Sequence, residues 1–212
     1  MTTPRRLLLS DFRRIRYYFY EIVREYQTFH NLYSLDPEFI VIMNEVAPVF
    51  SHDLANILQR DWILKVCRIS DPAKSHVKGR GLIENLTINH LQEQIIALRL
   101  ETPALKLIHA RIMRFAKTVR PARNRFIAHV DRETVVLRRR LGGFQARRGV
   151  IFLRNLQLYC DELDRILGRR CSDFSQTSRH GDILSLMMKL RDFRNDRNPY
   201  SLGLFPQSQR TQ

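Results

Sequence analysis

One stretch decides the fold: residues 103–129, which read PALKLIHARIMRFAKTVRPARNRFIAH. Its apolar side chains recur at alternating steps of three and four residues, at Leu105, Ile108, Ile112, Phe115 and Val119. This spacing places them on one face, so the stretch predicts an amphipathic helix that begins near Thr102-Pro103. The stripe continues through Ala122 and Phe126 to His129, so we expect this imidazole to point toward packed protein or a symmetry partner.

The segments that precede this stretch show the same helical periodicity. In the first long segment the repeating apolar positions are Phe12, Ile15, Phe19, Ile22, Tyr26 and Phe29. Asp36 and Pro37 predict the start of a second helix, which should run to about Ile69 with a kink at Pro48. Its expected buried positions are Phe39, Ile42, Met43, Val46, Phe50, Ile57 and Leu64.

Breaks between the helices complete the predicted architecture. Residues 70–81 predict a loop because they contain Asp71-Pro72, Gly79 and Gly81, and Gly142-Gly143 predicts a second break. Further helices are expected over 87–98, 150–167 and 182–194. The chain is therefore predicted to be all-α, an up-and-down helical bundle with one domain over 1–195 and a flexible tail over 196–212.

Positive charge is concentrated between residues 111 and 148. These 38 residues hold twelve Arg or Lys against two acids, Asp131 and Glu133, which gives +10 of the total of +15. Arg outnumbers Lys by thirty to six, and a guanidinium can bind phosphate with two hydrogen bonds. The clustering favours nucleic acid as a partner. The alternative is a solvated excess of Arg that reflects coding-sequence composition.

A histidine and several arginines stand together inside this basic stretch, in Arg123-Asn124-Arg125-Phe126-Ile127-Ala128-His129. A His exchanges protons near neutral pH, and a guanidinium can hold a phosphate. These groups are the minimum needed to cleave RNA without a metal. The spacing alone is not specific, since Arg24 and His30 share it. The structural alternative is a partly buried His129 at a helix end, with Arg123 paired to an acid.

This block resembles the signature of the HEPN superfamily (higher eukaryotes and prokaryotes nucleotide-binding domain), an all-helical fold. The likeness rests on Arg123, Asn124, the apolar pair at 126–127 and His129 followed by Asp131. Three further segments resemble the abortive-infection protein U-like branch: RISDPAK at 68–74, ENLTI at 84–88 and, weakly, GDILSL at 181–186. The resemblance extends over roughly residues 55–190.

The resemblance implies a metal-independent endoribonuclease of toxin or phage-defence type. Arg123 and His129 would be its catalytic residues at a dimer interface, and Asn124 matches the polar residue that often follows the Arg. The implied partners are RNA, a second copy of the chain and an antitoxin protein. Members paired with nucleotidyltransferase antitoxins often carry a Tyr two residues after the His. This chain has Asp131 there, so control by modification of that tyrosine is not expected.

The chemistry of RNA cleavage assigns roles to these groups independently. Attack by the 2′-hydroxyl requires removal of its proton, delivery of a proton to the 5′-oxygen, and stabilisation of the charged transition state. His129 can perform either proton transfer, and Arg123 can bind the non-bridging oxygens. On a straight α-helix these two side chains lie about 120° apart, whereas Arg125 and His129 share a face. Arg125 therefore remains a rival for the phosphate, unless a kink at Pro121, an early helix end or two apposed subunits reunite the first pair.

The remaining candidates concern binding and localisation. Residues that could hold RNA are Arg120, Arg125, Arg132, Arg138, Arg139 and Arg140. No cofactor or metal site is predicted, and no segment suggests a membrane span. Three unpaired cysteines suit free thiols in a cytoplasmic protein. Tyr17, Tyr18 and Tyr20 with Phe19 are expected mostly at the core and rim of the first helix rather than as a stacking platform for bases. A non-catalytic basic module that binds nucleic acid or a partner protein is the alternative function.

Overall fold

Helices make up most of the part of the chain that the computed structural model describes, namely residues 3–124, 145–171, 173 and 183–195. Within it the helices are α1 (Thr3–Tyr33), α2 (Pro37–Val46), α3 (Pro48–Ile69), α4 (Ile88–Ala97), α5 (Pro103–Ala122), α6 (Ala146–Ile166) and α7 (Ile183–Asn195). The two described strands, β1 (Lys74–Val77) and β2 (Gly81–Glu84), form one small hairpin. The all-α prediction is confirmed. None of these helices is long and apolar enough to cross a bilayer.

The chain divides into two compact units. The first unit comprises Met1–Gln27 and Asn56–Thr177, and the second comprises Thr28–Ala55 and Ser178–Gln212. The predicted domain over 1–195 and tail over 196–212 stay predictions, since the tail lies outside the described residues.

The core of the first unit is aromatic and lies around Trp62. Phe115 of α5 and Phe152 of α6 stack with their ring centroids 4.5 Å apart, and both meet the indole edge-on at 5.9 Å. The indole Nε1 donates a hydrogen bond to the Ile22 carbonyl at 3.1 Å, so the core's largest ring has its polar atom satisfied. Burial of these rings fixes α1, α3, α5 and α6 against one another within the unit.

α5 forms as the sequence predicts. The Thr102 side chain accepts a hydrogen bond from the Leu105 backbone at 3.1 Å, and Pro103 occupies the first helical position, where its missing N–H is harmless. The predicted apolar stripe is buried at Leu105, Ile108, Ile112, Phe115, Val119 and Ala122. The helix continues through Pro121 and has Arg123 as its C-cap residue.

The predicted helix from Pro37 to Ile69 is wrong in one respect, because it is two helices. Ala47 leaves the helical conformation (φ −155°, ψ 71°), which is the expected effect of the following Pro48. The N-cap prediction holds, since Asp36 accepts a hydrogen bond from the Glu38 backbone at 2.9 Å. The break also changes which face is covered: Phe39, Ile42 and Met43 are buried, whereas Val46, Phe50, Ile57 and Leu64, predicted to be buried, are exposed.

The predicted loop over 70–81 needs a second correction, because it contains strand β1. β1 pairs antiparallel with β2, with Lys74 opposite Glu84 and Val77 opposite Gly81. The turn uses Gly79 and Gly81 at φ +83° and +73°, a conformation that side chains with a Cβ rarely adopt. Asn85 holds the base of the hairpin by donating to the Pro72 carbonyl at 2.9 Å.

Candidate functional site

Arg123 lies at the carboxyl end of α5 and points its guanidinium at an acid from another segment. Its Nη1 contacts both carboxylate oxygens of Asp71, at 2.9 and 2.8 Å, and its Nε donates to Asn124 Oδ1 at 2.8 Å. Within the described residues its Nη2 has no hydrogen-bond partner. The pairing fixes the plane of the guanidinium and leaves one nitrogen available to an incoming group.

The loop that carries Asp71 is held from two sides. Arg120 Nη2 donates to the Ser70 carbonyl at 3.0 Å. Asn89 of α4 donates its amide to the carbonyls of Ser70 and Asp71, at 3.2 and 2.9 Å. Because both backbone carbonyls are bound by side chains of other helices, the position of the Asp71 carboxylate is set by α4 and α5 together.

His109 contacts the Asn89 side chain that binds this loop. Its Nε2 lies 3.0 Å from Asn89 Oδ1, and Asn89 uses its amide nitrogen for the two loop carbonyls. The Asn89 oxygen is therefore the acceptor, which requires the proton of a neutral His109 to lie on Nε2. Burial lowers the pKa of His109, although the nearby Glu101 carboxylate opposes the shift. The ring is therefore a neutral structural donor to Asn89.

A cleft of about 510 Å³ opens in front of Arg123. Its lining comes from α1, the end of α3, the hairpin and the end of α5: Tyr18, Arg68, Ile69, Asp71, Pro72, Ser75, Glu84, Asn85, Leu86, Thr87 and Arg123. Two sequence segments that were singled out separately, 68–74 and 84–88, thus meet Arg123 at one cleft. This convergence makes the cleft the candidate site.

Cys67 is buried near the guanidinium groups of Arg123 and Arg120, but it is not a nucleophile. Burial raises the pKa of its thiol, and the charges of Arg123 and Arg120 only partly offset the rise. A thiol with a raised pKa is protonated at neutral pH and therefore unreactive. Cys67, Cys160 and Cys171 are all free, as the sequence predicts.

Comparison with known proteins identifies the family of the chain. A model of the HEPN AbiU2 family matches residues 7–185, which is most of the 212-residue chain. The chain belongs to this family. Its predicted membership of the HEPN superfamily and its HEPN-like all-α fold are therefore confirmed. No curated protein and no solved structure matches it.

The described part of this HEPN domain contains only some of the predicted site residues. Arg123 and Asn124 lie together at the cleft end of α5, and Arg120 is half-buried against the Ser70 loop. The other predicted site residues lie outside the described residues: Arg125, His129, Arg132, Arg138, Arg139 and Arg140. The described ranges contain no group of three or more His, Cys, Asp or Glu side chains that could hold a metal ion.

Sequence reasoning missed two features of the site. Asp71 was noted only as a loop residue and as part of a family-like segment, and the acid that could pair with Arg123 was not identified, since the two residues are 52 positions apart. Tyr18 was assigned to the core and rim of α1, yet it lines the cleft. No spacing rule connects these residues, so a single sequence carries no signal for either relationship.

Proposed function

We propose that this HEPN domain is an endoribonuclease of toxin or phage-defence type that needs no metal, with Arg123 and His129 as its catalytic residues. The observation that carries the proposal is that Arg123 lines the 510 Å³ cleft with an Nη2 that makes no hydrogen bond within the described residues. Membership of the AbiU2 family and the +10 charge of residues 111–148 support it.

The arrangement at Arg123 suits a transition-state role. The Asp71 carboxylate and the Asn124 amide hold Nη1 and Nε, so the guanidinium does not have to be ordered when RNA binds. Nη2 is then the donor for a non-bridging phosphate oxygen, where negative charge accumulates as the 2′-hydroxyl attacks. His129 takes the proton from the 2′-hydroxyl or delivers one to the 5′-oxygen.

Cleavage of this kind needs a base and an acid, and two copies of the chain would supply two imidazoles. We therefore propose a homodimer with His129 of each subunit at a shared site. The active species is expected at twice the chain mass of 25.2 kDa in sedimentation equilibrium. Activity per subunit should fall when the protein is diluted below the dimer dissociation constant. A monomer that cleaves at full rate would contradict the shared site.

A gel assay tests the proposed function. Labelled single-stranded RNA and DNA of one sequence are incubated with the protein in excess EDTA. The protein should cut the RNA and leave the DNA intact, because DNA lacks the 2′-hydroxyl. His129→Ala and Arg123→Ala should each abolish cleavage, whereas His76→Ala should cut normally, since His76 is an exposed residue of β1. Cleavage by His129→Ala at the rate of the natural protein would overturn the assignment.

Expression in cells tests the toxin role separately. The natural protein should arrest growth, and His129→Ala should relieve the arrest. A protein antitoxin, which the family resemblance implies, should restore growth when it is produced together with the active chain. If neither the natural protein nor His129→Ala slows cell growth while the purified natural protein cuts RNA, the nuclease assignment holds and the toxin role fails.

One observation favours the alternative, a basic module that binds nucleic acid without cutting it. Two of the three guanidinium nitrogens of Arg123 already contact Asp71 and Asn124, as a structural arginine would. This alternative predicts salt-sensitive binding of both RNA and DNA with no cleavage. The same gel therefore separates the two functions.

A further inference from the structure

A second hollow adjoins the Arg123 cleft. It measures about 360 Å³ and is lined by Arg13, Arg14, Tyr17, Tyr18 and Leu86. Tyr18 and Leu86 also line the larger cleft, so the two hollows share a wall. The residues that line the two hollows form a surface that extends from α1 to Arg123 within the first unit.

Two tyrosines of α1 face this surface instead of the core. The exposed fraction is 62% for Tyr17 and 39% for Tyr18, whereas Phe19 beside them is fully buried. The two rings meet edge to face, with centroids 6.3 Å apart and planes at 70°. The rings are therefore not stacked face to face. Their hydroxyls make no hydrogen bond within the described residues. Of the four aromatic residues predicted at the core and rim, Phe19 lies in the core and Tyr20 packs against it, whereas Tyr17 and Tyr18 are exposed.

Three arginines around the two hollows are uncompensated. Arg13, Arg14 and Arg68 are exposed and have no ion pair or side-chain hydrogen bond within the described residues. The lining acids are already near cations, since Asp71 contacts Arg123 and Glu84 lies 3.9 Å from the Lys74 ammonium. As far as the structure is described, the surface thus presents guanidinium groups to solvent with no internal anion to hold them.

We propose that Tyr17, Tyr18, Arg13 and Arg14 form a nucleotide-binding subsite that takes single-stranded RNA and leads it to Arg123. Exposed aromatic rings stack on unpaired bases, and neighbouring arginines hold the backbone phosphates. A duplex hides its base faces, so it could not use the tyrosines. The choice of RNA as the substrate of this subsite rests on the proposed function. Binding of RNA to the subsite can nevertheless be measured without cleavage.

The test uses the full chain carrying His129→Ala, so that RNA is bound and not consumed. Binding of a fluorescent twelve-residue oligouridylate is followed by anisotropy across a series of salt concentrations. Adding Tyr18→Leu should weaken binding at least about fivefold, since it removes a stacking ring. Tyr18→Phe keeps the ring and should bind within about twofold of the parent.

A pair of arginine variants tests the phosphate contacts. Arg13→Ala with Arg14→Ala should reduce the magnitude of the slope of log affinity against log salt by about 1.4, the value for two lost contacts to a single strand. Arg99→Ala with Arg154→Ala is the matched control. It removes the same charge from two exposed arginines that do not line either hollow, and should leave the slope unchanged.

The outcomes separate this inference from the proposed function. If the tyrosine and arginine variants bind like the parent, the subsite is overturned even if the natural protein cuts RNA. If binding depends on Tyr18 and Arg13/Arg14 but no cleavage occurs, the subsite stands and the nuclease proposal fails. Absence of any RNA binding, or displacement of RNA by polyglutamate at equal charge, would overturn the subsite in favour of an acidic protein partner.

Discussion

Arg123 and Asp71 are 52 residues apart in the sequence, yet Arg123 Nη1 lies 2.9 and 2.8 Å from the two carboxylate oxygens. The ion pair joins the end of α5 to the loop after α3, at the edge of the cleft. It gives Asp71 a positioning role in the proposed reaction, because it sets the direction of Arg123 Nη2, which makes no hydrogen bond within the described residues.

Asp71→Asn should separate positioning from binding. We expect RNA cleavage to slow about tenfold because the guanidinium is no longer fixed, a loss of about 1.4 kcal/mol in transition-state stabilisation. RNA binding should not weaken, since the change removes a negative charge from the cleft. Single-turnover kinetics and anisotropy measure the two effects, with the exposed Asp53→Asn as control. An unchanged cleavage rate would mean that Asp71 does not position Arg123.

Arg120 should contribute more to the free energy of unfolding than an exposed arginine does. Its guanidinium donates to the Ser70 carbonyl at 3.0 Å. Arg120→Gln should lower the free energy of unfolding by about 1–3 kcal/mol. Urea unfolding followed by the fluorescence of Trp62, the single tryptophan, measures this. The exposed Arg154→Gln should change it by less than about 0.5 kcal/mol. Equal stability of both variants would show that the Ser70 contact contributes nothing.

The aromatic core makes a strong prediction about stability. Phe152 is buried between Trp62 and Phe115, so Phe152→Ala leaves a cavity and should cost about 3–5 kcal/mol. The control is Leu158→Ala on the same helix, where the side chain is 37% exposed. Thermal unfolding by circular dichroism measures both. Similar melting temperatures for the two variants would contradict the packing of Phe152 between Trp62 and Phe115.

His109 predicts how stability depends on pH. Because burial lowers the pKa of His109, the unfolded chain binds a proton more readily than the folded one. The stability that the neutral ring contributes is present above the ordinary pKa of about 6.5 and is lost as the pH falls below it. His109→Gln keeps a donor for Asn89 and removes the titration.

Melting temperatures at pH of about 7.5 and 5.5, on either side of the ordinary histidine pKa, measure this effect. The natural protein should lose more stability on acidification than His109→Gln does. His76→Gln changes an exposed histidine and should behave like the natural protein. If His109→Gln and the natural protein lose the same amount, the ring is not the titrating group.

The elements that sequence reasoning predicted correctly are those with local causes. α5 follows from an apolar stripe, a Thr102 cap and Pro103, all of which lie within one segment. The hairpin was missed because each strand has only four residues, too few for alternation to stand out. The break at Ala47 was taken for a kink, since a proline inside an apolar pattern allows either result.

The candidate site was only partly visible in the sequence for a different reason. Family likeness marked segments 68–74 and 84–88 but could not say that they line one cleft with Arg123. The contact between Arg123 and Asp71, and the turn of Tyr17 and Tyr18 away from the core, depend on how distant helices pack. Such relationships arise from tertiary packing, which no spacing along one chain encodes.

A substrate with a single altered sugar tests the proposed chemistry most directly. After the cleavage position in a defined RNA is mapped in EDTA, that nucleotide is replaced by its 2′-deoxy form. Cleavage at this position should stop, the unmodified RNA should end in a 2′,3′-cyclic or 3′-phosphate, and His129→Ala should cut neither substrate. Cleavage next to the 2′-deoxy sugar, or an active His129→Ala protein, would contradict it.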